Sequence, residues 1–235
     1  MAENHKSYGE GCIAAHALDL IGDRWALLVV RELMLGPKRF GAIRSRLPGI
    51  ATNMLSRRLA DLETAGVLRQ GALPPPASVA VYELTAQGRA LGPLLGELCR
   101  WGVGVPGHDP RLPISPTALM LSMQALVRAD AAGSHLAGFT LDDERFLMSV
   151  EDRRIDIRRT ALPEGRIHLT APPNAMARAV YGPQPLAALV ADGVVQLDGE
   201  LSAAQSFIDL FRLERPADTT RHDRVAGGTG ADSPR

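Results

Sequence analysis

The sequence predicts an α+β protein in two parts: a helix-rich N-terminal domain with a two-stranded hairpin, then a smaller, strand-rich α+β domain. Three observations carry this. Apolar residues recur at helical spacing through the first 66 positions. The period drops to two at 67–84, and again between 137 and 171. Between these stretches Gly102, Gly104, Pro106, Gly107, Pro110, Pro113 and Pro116 crowd together, a density of breakers that marks a linker. The expected division is 1–105, a linker at 106–114, a second domain at 115–214 and a disordered polar tail at 215–235.

Composition sets the limits. Of 235 residues 46% are hydrophobic and 22% charged, enough for a buried core. The 26 Lys+Arg balance 26 Asp+Glu, so net charge alone points to no polyanion. No apolar run approaches the roughly 20 residues of a spanning helix. The start has no apolar signal region, and Cys12 and Cys99 are too few for a disulfide framework. The expected location is the cytoplasm, with no membrane partner. The balance hides a division, however: 1–105 is net +3 and the remainder net −3. Within 38–69, Lys38, Arg39, Arg44, Arg46, Arg57, Arg58 and Arg69 face only Asp61 and Glu63. A local basic block fits a nucleic-acid reader, and it equally fits a solvated face.

Taken in order, the first helix is expected at 12–21, where Ile13, Ala17, Leu20 and Ile21 share a stripe. The second, at 25–35, is apolar almost all round and stops at Gly36-Pro37, so it belongs at the domain centre. Two short helices follow around Pro48-Gly49, a helix-turn-helix plan whose second helix can enter the major groove. At about 100° per residue, Leu55, Leu59 and Leu62 fall on one side and Asn53, Ser56, Arg57, Ala60 and Thr64 on the other. Asn pairs with adenine, Arg with guanine, and Ser or Thr with bases or phosphates. Thr52, Asn53, Ser56 and Arg57 are therefore the candidate base contacts. Lys38, Arg39, Arg44, Arg46, Arg58 and Arg69 are the candidate phosphate contacts. Strands at 67–73 and 79–84 then form a hairpin with a proline-rich tip at 74–78, and Thr85 caps a helix over 85–101. Helix-turn-helix, hairpin and helix make a winged helix. The final stripe (Leu91, Leu94, Leu95, Leu98, Trp101) exceeds what so small a domain must bury, which makes a homodimer the expected form. A dimer presents two reading helices to a pseudo-palindromic DNA site with half-sites about one helical turn apart.

The run LIGDRWALLVVRELMLGPKRFGAIRSRLPGIATNMLSRRLADLETAGVLRQ, followed by VYELTAQGRAL and LCRWG, closely resembles the HxlR-type winged-helix transcription regulators over about residues 11–103. The resemblance implies a dimeric DNA-binding regulator paired through its first and last helices. It also puts Cys12 where some relatives carry an oxidant-sensing cysteine; the plainer reading is a small buried hydrophobe. Two positions depart from the family pattern. Ala51 stands where a helix-capping Ser is usual, which costs on the order of 1 kcal/mol, and the hairpin tip carries no Lys or Arg.

In the second domain a helix rich in Leu and Met opens at 115. Strands are expected at 137–141, 145–150, 154–159 and 166–171, helices at 176–181 and 186–191, a strand at 194–197 and a last helix at 201–213. The stretch from Gly165 to Phe211 resembles the second half of a sterol carrier protein-like domain, which implies an apolar ligand tunnel. Met120, Met123, Phe139, Phe146, Met148, Met176, Tyr181, Phe207 and Phe211 are the candidate wall of an effector pocket, since Met and aromatic side chains make adaptable apolar surfaces. Extra dimer surface is the other use of this domain. His5, His16, His108, His135, His168 and His222 show no metal-ligand spacing, and no catalytic motif appears. Asp142, Asp143 and Glu144 read as a polar turn. No enzyme, cofactor or metal is expected. The rival to a regulator is a carrier of lipid or hydrophobic metabolites whose N-terminal domain only dimerises.

Overall fold

A computed structural model of the chain describes residues 7–72 and 79–211. The expected hairpin tip at 74–78 and tail at 215–235 lie outside them.

The N-terminal part runs α1 (Ile13–Ile21), α2 (Ala26–Leu33), α3 (Phe40–Ser45), α4 (Thr52–Thr64), β1 (Leu68–Ala72), β2 (Ala80–Leu84), α5 (Ala86–Arg89) and α6 (Gly92–Val103). It is a winged helix-turn-helix. Ala26, Val29, Val30 and Leu33 of α2 meet Ile43, Leu47, Leu55, Leu59 and Leu62, with Leu68 and Leu84 of the hairpin closing the cluster. The near-uniform apolarity of α2 follows from this central place. Gly49, at φ +86°, makes the α3–α4 turn, a conformation that favours glycine. Strands β1 and β2 pair antiparallel with Leu68 opposite Leu84, and a bridge from Lys38 to Tyr82 ties the α2–α3 connection to β2.

The single helix expected at 85–101 is two. Pro93 has no amide hydrogen and its ring excludes the carbonyl four residues back, so the chain stops at Arg89 and restarts at Gly92. Thr85 caps the first piece by accepting from the Gly88 amide at 3.2 Å. Gly88 lies against the hairpin's entry: a Cβ there would sit 2.0 Å from the Val67 carbonyl oxygen.

The second part runs α7 (Pro116–Ala125), β3 (Ser134–Leu141), β4 (Glu144–Glu151), β5 (Arg154–Arg159), β6 (His168–Thr170), α8 (Pro173–Tyr181), α9 (Leu186–Ala191), β7 (Gln196–Asp198) and α10 (Leu201–Ile208), then a short 3-10 turn. The sheet order is β5-β4-β3-β6-β7, with β3 and β6 parallel and the other neighbours antiparallel. The β5 alternation holds: Ile155 and Ile157 pack toward the core while Arg154, Asp156 and Arg158 face water. Asp142 (φ +54°) makes the tight β3–β4 turn, and Asp152 and Arg153 (φ +46° and +70°) make the β4–β5 turn.

The two parts are not strung on a free linker. Residues 104–115 carry no helix or strand, yet Asn174 of α8 donates to the Leu112 carbonyl at 2.8 Å and accepts from the Ile114 amide at 3.2 Å. Helix α7 packs against α2 and α6. Among the described residues no helix is long and apolar enough to cross a membrane.

Candidate nucleic-acid interface

Helix α4 has two faces. Leu55, Leu59 and Leu62 are at most 2% exposed and hold the helix to the core. Thr52, Asn53, Ser56 and Arg57 are all exposed, with Ala60 and Thr64 continuing that side. The side chain of Arg57 is 62% exposed and only loosely held, with Nε 3.9 Å from Asp61. The Ser56 hydroxyl donates to the Thr52 carbonyl at 3.1 Å. At the N-terminus Ala51 has the extended backbone of a cap (φ −72°, ψ 147°) and no side-chain bond to offer, and the Met54 amide donates instead to the Asn53 Oδ1 at 2.8 Å. An exposed, loosely held guanidinium beside short polar side chains at a helix start is what a base edge or phosphate needs.

Of the six cations expected at phosphates, Arg39, Arg44 and Arg69 are exposed, Arg69 with a 2.8 Å bond to Glu83. The other three are committed elsewhere. Lys38 is 4% exposed: its Nζ donates to Glu32 at 3.0 Å, to Thr117 at 2.9 Å and to Glu144 at 3.1 Å. Arg58 is 5% exposed, within 2.5 Å of Asp23 and 2.9 Å of Asp61, because it flanks the Leu stripe of α4 rather than the open face. Arg46 donates to Asp142 at 2.8 Å and also bonds Asp143. Burial works against the Arg46 charge, but the Asp142 bond and the surrounding carboxylates prevail and raise its pKa above the ordinary guanidinium value.

Sequence reasoning missed the partners of these cations. Glu32, within the apolar run of α2, is fully buried and accepts from Ser115 at 2.6 Å as well as from Arg31 and Lys38. Glu144 is 7% exposed, not a solvated turn residue, and also bonds Arg159. Ser115 is the N-cap of α7 as well, accepting from Ala118 at 3.0 Å. A charged residue inside an apolar helix was the available signal for Glu32.

Two further expectations meet the structure at other places. Met120, Met123, Phe139, Phe146, Met148, Met176, Phe207 and Phe211 pack into one core cluster, each at most 1% exposed, with Tyr181 at its edge. All but Phe207 only pack the core in this structure. The second domain's cleft, about 690 Å³, lies instead between the start of β3, the entry to β6 and α10, and of the nine only Phe207 reaches it. Burial pushes the Tyr181 hydroxyl pKa up, against a 2.8 Å bond with Ser122.

Cys12 is exposed and not the buried hydrophobe of the plainer reading. It stands at the N-cap position of α1, where the backbone N–H groups of Ala15 and Ala14 draw its thiol below the ordinary range. Burial pushes half-buried Cys99 the other way, with Arg31 and Arg100 opposing. A lower pKa puts more thiolate at a given pH, so Cys12 is expected to react with iodoacetamide faster than Cys99 at neutral pH. Its rate should also reach half-maximum at lower pH than that of Cys99. Peptide mass spectrometry after timed labelling at several pH values checks this; equal rates would refute it.

The sequence profile of the HxlR-like helix-turn-helix family matches residues 20–108. The chain is 39% identical over 85 residues to the uncharacterized HTH-type transcriptional regulator YvaP of Bacillus subtilis strain 168, covering 36% of this chain and 79% of that protein. It is 38% identical over 85 residues to the HTH-type transcriptional regulator YodB of the same organism, covering 36% and 76%. Among solved structures, the reduced form of YodB from B. subtilis aligns at 34% identity with a TM-score of 0.37, covering 42% of this chain and all of that one.

Proposed function

This chain belongs to the HxlR-like helix-turn-helix family, and on that premise we propose that it is a DNA-binding transcriptional regulator that reads a pseudo-palindromic site as a homodimer. The carrying observation is the open face of α4: Thr52, Asn53, Ser56 and Arg57 reach solvent together while Leu55, Leu59 and Leu62 anchor the helix from behind. Arg39, Arg44 and Arg69 supply phosphate contacts. Pairing of two copies is supported by apolar surface on the first and last helices of this part, with Ile13 87%, Trp101 70%, Leu98 42% and Leu94 40% exposed. Surface of that kind on helix faces marks an association site.

The second part is proposed to sense a small, largely apolar molecule, as its likeness to a sterol carrier-like domain suggested. A surface cleft of this part is the proposed place for that molecule. Leu136, Ile167, Ala203 and Phe207 are its apolar lining, and Ser134, His135, Arg166, Glu200 and Ser206 its polar groups. A ligand there shifts DNA affinity only if it binds the two dimer geometries unequally. Oxidation of the exposed Cys12 thiol, just before the first helix, is proposed as a second input.

The test starts from a duplex selected out of a random-sequence pool by the wild-type protein. Arg57→Ala is expected to weaken binding to it by roughly 1–3 kcal/mol and to relax selection at one base position. Asn53→Ala is the companion. Fluorescence titration at two salt concentrations reads both. Unchanged affinity in both variants would overturn the assignment of α4 as the reading helix, and equal losses on unrelated duplexes would reassign Arg57 to a phosphate. A wild-type protein without salt-dependent DNA binding would favour the carrier reading instead.

A further inference from the structure

One turn of the second part holds two of the cations expected to meet DNA. Asp142, Asp143 and Glu144 are consecutive at the β3–β4 turn. Glu144 takes Lys38 at 3.1 Å and lies 3.4 Å from Arg46. Asp142 accepts from Arg46 at 2.8 Å, and Asp143 bonds the same guanidinium. Lys38 and Arg46 bracket α3, the first helix of the helix-turn-helix, and Arg46 is its C-cap, shortly before the reading helix begins at Thr52.

The two pairs differ in how easily they open. The Lys38–Glu144 pair is buried on both sides, 2% and 7% exposed, and is part of the domain junction. The Arg46 contacts lie nearer the surface: the Arg46 side chain is 18% exposed, and those of Asp142 and Asp143 are 40% and 81% exposed. Ion pairs open to water contribute little and yield readily to a competing anion. A DNA phosphate offers a guanidinium the same bidentate oxygen geometry as a carboxylate. The turn therefore sits on a fixed base and presents an exchangeable tip.

We propose that the Asp142–Asp143 turn is an autoinhibitory contact that occupies Arg46 in place of a DNA phosphate. This rests on the DNA-binding reading above. The contact lowers affinity for every duplex alike, because a phosphate carries no sequence information. Displacing the tip adds one phosphate contact without touching the bases read by α4, which gives the second part a direct handle on DNA affinity.

The experiment is titration of a mixed-sequence duplex of about three helical turns across a range of salt. The proteins are the wild type, Asp142→Asn/Asp143→Asn, Arg46→Ala, and the combination of all three substitutions. The double Asn variant is expected to bind about three- to tenfold more tightly near 0.1 M salt, with a log–log salt slope steeper by about 0.9. Arg46→Ala alone changes little, since Arg46 is already engaged, but in the double Asn background it abolishes the gain. Asp143→Asn alone, which spares Asp142 as well as Glu144, gives a smaller gain, and melting curves verify folding throughout. No gain in folded Asp variants overturns the proposal, as does a gain that Arg46→Ala leaves intact. Absence of salt-dependent binding by the wild type is a different result and overturns the DNA-binding reading itself.

Discussion

Replacing Lys38 with Met is expected to destabilise the protein by about 3 kcal/mol, the lower end for breaking a buried ion pair. The ammonium is the only cation within 4 Å of both Glu32 and Glu144 among the described residues, and it also donates to Thr117. Removing it leaves Glu32 with Arg31 and Ser115, and Glu144 with Arg46 and Arg159, so neither carboxylate is stranded. That is why the lower end applies. Met keeps the apolar stem, so the loss reports the charge rather than a cavity. Adding Glu144→Gln removes the surplus negative charge, and the double variant is expected to be less destabilised than the sum of the singles. Urea unfolding with the midpoint read by circular dichroism measures all three. A Lys38→Met midpoint equal to wild type would show that the Lys38 ammonium contributes nothing to joining the two parts.

This cluster also marks where sequence reading stopped. The faces of α4 were legible because the information is local. Leu55, Leu59 and Leu62 are spaced to share one side at about 100° per residue, and burial follows that spacing. Lys38 and Arg46 were not legible because, apart from Glu32 six residues before Lys38, their hydrogen-bond partners are 79, 96, 97 and 106 residues away. Composition registers a positive charge in 38–69 but not the carboxylate that neutralises it, so the basic block overstates the charge offered to DNA. Arg58 is intermediate. Its place beside the Leu stripe and its i,i+3 relation to Asp61 were visible in the sequence, while Asp23 across the α1–α2 corner was not. Pro93 was visible too, and the break it causes shows that a continuous apolar stripe does not make a continuous helix.

The burial of the expected effector-pocket residues was not legible for another reason. Met and Phe lining a ligand and Met and Phe filling a core have the same composition and the same spacing, so pattern alone cannot separate them. Packing can. Phe207 is 1% exposed, with its ring centroid 6.0 Å from that of Phe139 and 5.5 Å from that of Phe211. Phe207→Ala is therefore expected to cost about 3–5 kcal/mol, the range for deleting a fully buried aromatic ring. A ring that merely walled a solvent-filled pocket would cost far less. The same variant asks whether the two parts unfold together. Both tryptophans, Trp25 and Trp101, lie in the N-terminal part, far in sequence from position 207. With Lys38, Glu32, Ser115, Thr117 and Glu144 bonded across the junction, destabilising the second core should draw the first along. The tryptophan-emission and circular-dichroism midpoints are then expected to fall together, as coincident probes do in a single cooperative transition. A tryptophan midpoint that stays at its wild-type position while the other falls would mean the halves unfold independently. The junction would then be too weak to transmit strain from the second core to the reading helix.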